Sequence, residues 1–285
     1  MKTMKRIASL ALALCVIALT ALMSSCGNGK KNAVEELVEQ VTAYSLSSRA
    51  VEKTRSLDSF DAMLDVNISS NIAGVDVAVP LGTKVKAAGL KGTAPVYYSG
   101  TGETVFGSAS ESFYEGEWCY TVTAGVGSKQ KVEGGGAVCE GVATINSIQQ
   151  VLPAMLLVDV TIGSDENGLK TVSVPIPDDK FEEIFSEFVN EMTVDAVNGA
   201  LEGAAEITSY RGYNAVVRIT VSENGYVKSY AINFDLDVTA NVTVFILKTT
   251  TTFTSNVDAV LTYTDPGMPV TITFPEGYKD FPETK

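Results

Sequence analysis

The chain has 285 residues, 21 basic against 34 acidic, a formal charge of −13 and no histidine. An acidic balance of this size repels phosphate backbones and argues against nucleic acid as a partner. The absence of histidine removes Ser-His-Asp and Cys-His nucleophilic catalysis and imidazole-bound zinc. Only paired carboxylates, a lysine base or a cofactor remain as routes to an enzyme.

The first element is a leader. Lys2, Lys5 and Arg6 precede an apolar stretch, Ile7 to Leu22, broken only by Ser9 and Thr20. A cationic start and a short apolar run read as an export signal, and the run is marginal for a bilayer core that needs roughly 20 apolar residues. It ends in Leu22-Met23-Ser24-Ser25-Cys26, which resembles the bacterial lipobox. Residues 1–25 are therefore expected to be a lipoprotein signal peptide and Cys26 the acylated N-terminus. Two or more acyl chains would hold the chain stably on a membrane. Residues 26–32 supply no core-forming side chain beyond the anchor and read as a tether. Removing residues 1–25, with three basic side chains, leaves 260 residues carrying 18 basic and 34 acidic groups, a charge of −16.

Residues 33–285 are read as a single domain. Over 33–55, Val34, Leu37, Val38 and Val41 fall at helical spacing, with Glu35, Glu36 and Glu39 on the other side; one helix or two short ones would fit. From Leu57 the period becomes two. Leu64, Val66, Ile68 and Ile72 alternate with Asp65, Asn67, Ser69 and Asn71, the mark of a half-buried strand. Further short strands follow, with a tight hairpin over Phe113–Trp118 turning at Gly116. Cys119 and Cys139 could close a disulfide loop of about 20 residues or serve as two buried free thiols. Residues 143–158 fit either a helix or loops, and Pro153 argues against one continuous helix. Asp165-Glu166-Asn167-Gly168 is a turn before a strand at 169–175. Asp178 and Asp179 then open a second helix whose Phe181, Ile184, Phe185 and Phe188 form an apolar stripe.

The last 80 residues are the clearest β signal. Val216–Val221 leads through Glu223-Asn224-Gly225 into Tyr230, Ile232, Phe234, Leu236 and Val238 on one face, with Asn233, Asp235 and Asp237 on the other. Threonine- and valine-rich strands span about 240–264, Asp265-Pro266-Gly267 turns, and Val270–Phe274 reads as a last strand. Same-face strand positions about 6.5–7 Å apart serve a calcium ion badly, so Asn233, Asp235 and Asp237 read as a solvated face and no metal is expected. There is no Gly-x-Ser-x-Gly, no phosphate-binding glycine loop and no Cys-x-x-Cys; no catalytic residue and no cofactor is expected.

The expected fold is α+β: a curved antiparallel sheet forming an unclosed β-barrel wrapped around two main helices. The hairpin at Tyr114 and Gly116, the run Gly225, Tyr226, Ser229 and Tyr230, and the C-terminal Gly267, Val270, Ile272 and Pro275 together resemble uncharacterised lipoproteins of clostridial-type bacteria with a LolA/LppX-like unclosed barrel. That resemblance implies an apolar hollow holding a lipid-like ligand. Leu64, Val66, Ile68, Phe181, Phe185, Phe188, Ile232, Phe234 and Leu236 are the candidate lining, and the same side chains could equally pack as core. The expectation is thus an extracytoplasmic, lipid-anchored binder or carrier of an apolar ligand; the competing reading is a non-catalytic interaction or sensing module with a filled core.

Overall fold

The computed structural model describes residues 33–72, 75–102, 108–132, 158–190, 205–244 and 247–284. The expected leader, tether and Cys26, the stretch 143–157 and Cys139 lie outside them. Helix α1 (Ala33–Arg55) is the first described element. It is followed by β1 (Ser59–Ile72), β2 (Val75–Ala88), β3 (Val96–Thr101), β4 (Ser110–Glu115), β5 (Trp118–Thr123) and β6 (Val126–Lys131). The second half holds β7 (Thr161–Ser164), β8 (Lys170–Pro175), helix α2 (Asp178–Val189), β9 (Ala205–Val221), β10 (Val227–Val244) and β11 (Leu247–Thr264).

The eleven described strands form one antiparallel sheet in the order β6-β5-β4-β3-β2-β1-β11-β10-β9-β8-β7. Among the described strands β6 and β7 are edges that do not pair with each other, so the sheet is unclosed. The 18-residue β10 and β11 run about 60 Å at the usual strand rise, and the flanking strands are short. Among the described strands the two halves of the sheet are contiguous meanders, joined where β1 pairs with β11, from Asp61↔Thr264 to Asn71↔Thr254.

The period-two pattern sorts the side chains onto two faces. One face bears the helices: α1 packs on β7, β9 and β10, and α2 on β9. The C-terminal end of α1 is tied to the β9–β10 turn, where the Thr54 hydroxyl accepts the Val227 N–H at 2.8 Å and donates to the Ala50 carbonyl. Lys53 sits 4.3 Å over the Tyr226 ring. The buried side of α1 is Ala43, Ser47, Ala50, Val51 and Thr54. The valine stripe seen in sequence faces elsewhere, with Val38 57% exposed.

The opposite, back face is polar over β9–β11. There the Asp235 carboxylate accepts from the side-chain amides of Asn214 and Asn256 at 2.9 Å each, and Asp237 accepts from Thr254 and Tyr213. Over β3–β5 the back face is aromatic and is covered by the chain end. The segment after β11 turns at Asp265 and Gly267, both with positive φ, and lays Phe274 and Tyr278 against Phe113 and Tyr120, with ring centroids 4.6–6.2 Å apart. Val270–Phe274, expected as a strand, is extended but outside the sheet. Its alternation reflects one side lying on the back-face aromatics rather than a ladder of hydrogen bonds. The chain end then bridges to the β6 edge, where Lys129 N–H donates to the Pro282 carbonyl and Thr284 N–H to the Lys129 carbonyl, each at 2.9 Å.

Candidate functional site

The helix-bearing face is built from rungs that cross the sheet. One rung runs Thr83–Leu64–Leu261–Tyr230–Ile219–Val172 across six strands, and the next Leu81–Val66–Ala259–Ile232–Val217–Val174. A third joins Val79, Ile68, Val257 and Phe234, and a fourth Ser70, Ser255, Leu236 and Gly212. The expected lining residues of β1 and β10 thus lie on matching rungs, with β11 between them.

Helix α2 closes on this face with its phenylalanines. Phe181 lies 5.1 Å from Phe234 and 5.3 Å from Phe185, and Phe185 stacks on Phe234 at 6.0 Å. The Phe181 ring approaches so closely because it lies over Gly212, where an added Cβ would meet it at 2.0 Å. Gly212 is a site residue the sequence reading missed; an isolated glycine inside a strand is the signal of such an approach. The Phe188 side chain lies outside what the structure describes. Leu64, Val66, Phe181, Phe185, Ile232, Phe234 and Leu236 belong to one buried cluster, with Ile68 partly buried against it. On the same face of β5, Cys119 is buried.

Cover along this face is uneven. Near the β9–β10 turn Val85 and Ala87 have no exposed surface, whereas toward the other end of β2 Leu81 is only partly buried and Val77 is 39% exposed. Ile68, Ile207, Tyr210 and Phe253 mark the same margin as partly buried apolar side chains. The apolar surface therefore continues beyond its cover at the end of the sheet away from the C-terminus of α1.

Among the described residues, three hydroxyls within this interior have no hydrogen-bond partner: Ser47 Oγ, Tyr230 OH and Tyr263 OH. Burial alone pushes both tyrosine phenols far above their ordinary range. Two clefts of about 420 Å³ among the described residues, each of mixed polar and apolar lining, lie apart from these hydroxyls. One is rimmed by Asp178, Asp179, Glu182 and Arg211 between α2 and β9. The other lies on the back face between Lys84, Lys86, Tyr98, Glu111 and the chain-end segment. In the latter, both lysines pair with Asp61, at 3.7 and 3.3 Å, and burial together with a hydrogen bond to Glu111 pushes the Tyr98 phenol up to about 12. No group of three or more potential metal ligands occurs among the described residues. No helix among them is long and apolar enough to cross a membrane.

No family model matches the sequence, and no curated protein matches it. Among solved structures, the chain is similar to LprF from Mycobacterium bovis (14% identity, 83% of this chain and 98% of that one, TM-score 0.44). It is also similar to the lipoprotein LppX of Mycobacterium tuberculosis (10%, 82% and 99%, 0.39) and to a LolA superfamily protein from Nitrosomonas europaea (9%, 78% and 91%, 0.24). LppX and LolA are the names the sequence pattern led to, and nothing in these comparisons bears on a clostridial origin. With each of these TM-scores below 0.5, the site stands on its own geometry.

Proposed function

We propose that the protein is a lipid-anchored, extracytoplasmic lipoprotein that binds or passes on an apolar, lipid-like ligand against the helix-bearing face of its open sheet. In this reading residues 1–25 are the signal peptide, Cys26 carries the acyl chains, residues 26–32 are the tether, and 33–285 form the binding domain, its sheet wrapped around the helices. No nucleic acid, cofactor or catalytic residue takes part. The observation that carries the reading is the apolar face that outruns its cover, from Val85 with no exposed surface to Val77 at 39%. A contiguous apolar surface with an uncovered margin is where an acyl chain gains most by leaving water.

The test is native mass spectrometry with lipid extraction on the mature chain purified from a bacterial host. Near-stoichiometric co-purified acyl lipid, lost in I68D at the partly covered margin, supports the reading. A clean apo mass that gains nothing from added lipid overturns it. The packing of Phe181 and Phe185 on Phe234 favours the second reading, an interaction or sensing module with a filled core, and that reading predicts the clean mass.

A further inference from the structure

We infer that the exposed valine stripe on the first half of α1 lies on the surface of the bilayer that holds the acyl chains. Val38 is 57% and Val41 38% exposed, and their i, i+3 spacing puts them on one face. At about 100° per residue this stripe is centred opposite Ala43, Ser47, Ala50 and Thr54, the side packed on the sheet. α1 therefore packs one side on the sheet and leaves the two valines on the other side uncovered.

Three observations select a lipid surface as the occupant. The seven residues 26–32 can span no more than roughly 25 Å when fully extended, so an acylated Cys26 keeps this half of the helix within reach of the membrane. The charges of the first turns point elsewhere: Glu35 and Glu36 fall on other faces by spacing, and the Glu39 carboxylate accepts the Ile162 N–H at 3.3 Å. The Thr42 hydroxyl beside the stripe is bonded to the Val38 carbonyl at 2.6 Å. Valine side chains set into the interface add a second attachment to the acyl chains, through the apolar area they bury, and fix how the domain stands on the membrane.

The inference rests on the acylation of Cys26 and is independent of any bound ligand. The experiment uses the full chain, processed in a bacterial host and reconstituted into phosphatidylcholine vesicles with brominated acyl chains, in a W118F background. V38W is expected to lose most of its emission to bromine quenching, while E36W, on the other side of the helix, keeps it. If the protein floats with the vesicles and V38W keeps its emission, anchoring stands and the docking is overturned. If the protein does not float, both fall together. Concentration-dependent dimerisation abolished by V38E, with no quenching of V38W, would assign the stripe to a second copy and likewise overturn the inference.

Discussion

Replacing Tyr230 by phenylalanine is expected to stabilise the protein. The Tyr230 hydroxyl is buried in the interior without a partner, on the rung between Leu261 and Ile219. An unsatisfied buried polar group costs about 1–3 kcal/mol, and phenylalanine keeps the ring while removing the atom that bears the cost. Taking the low end, Y230F gains about 1 kcal/mol, which for a domain of this size raises Tm by roughly 2–4 °C. Tyr263 is two residues beyond Leu261 on the adjacent strand, a diagonal neighbour, so Y230F and Y263F are expected to couple rather than add. Urea and thermal unfolding of the mature chain, followed by circular dichroism, read the effect. Destabilisation by Y230F would refute the reasoning, because it would mean that the hydroxyl bonds to a resident water or to a polar group of a bound molecule.

The same phenols set an alkaline limit. Their folded pKa values lie above the unfolded value near 10, so their contribution to stability is whole below about pH 10 and is lost as pH rises beyond it, when only the unfolded chain ionises; unfolding midpoints should fall above pH 10, and less so in Y230F/Y263F. G212A places a methyl against the Phe181 ring and should cost on the order of 1–3 kcal/mol in urea unfolding, opposite in sign to the usual stabilisation from removing a glycine at an unstrained site. F274A opens the aromatic cover on Phe113 and Tyr120 and should cost about 2 kcal/mol by the same assay, below the roughly 3–5 kcal/mol of a fully buried phenylalanine because Phe274 is only half-buried. If Cys119 and Cys139 are joined, the denatured mature chain shows no reactive thiol before reduction and two after; two thiols in the unreduced protein would leave Cys119 as a buried free thiol.

Alternation made the faces legible but not the neighbours. Leu64, Val66 and Ile68 were readable as one side of a strand, and so were Ile232, Phe234 and Leu236. That β11 lies between them depends on pairing across nearly 200 residues, which a period of two does not encode. The stripe of α2 was legible because phenylalanines at helical spacing have few other uses. The start of β9 was not, since Gly212 and Asn214, the latter at positive φ beside a register shift, interrupt its alternation. Val270–Phe274 shows the converse: a half-buried extended segment has the pattern of a strand whether or not its backbone is paired. On α1 the valines outweighed Ala43, Ser47 and Ala50 in apolar size, yet the small residues are the ones that allow close approach to the sheet.

The seam between β1 and β11 has a consequence for how the molecule assembles. Each meander can form from neighbouring hairpins, but the middle of the sheet exists only once residues from opposite ends of the chain have zipped together. Until then each half presents one of the protein's longer strands as an open edge, apolar on one side and ready to pair with another chain. Such distant pairing is slow. The hazard for this protein is therefore the interval between completing two half-sheets and joining them, when a second molecule's β11 competes with its own for β1 and a domain-swapped pair is the natural wrong product.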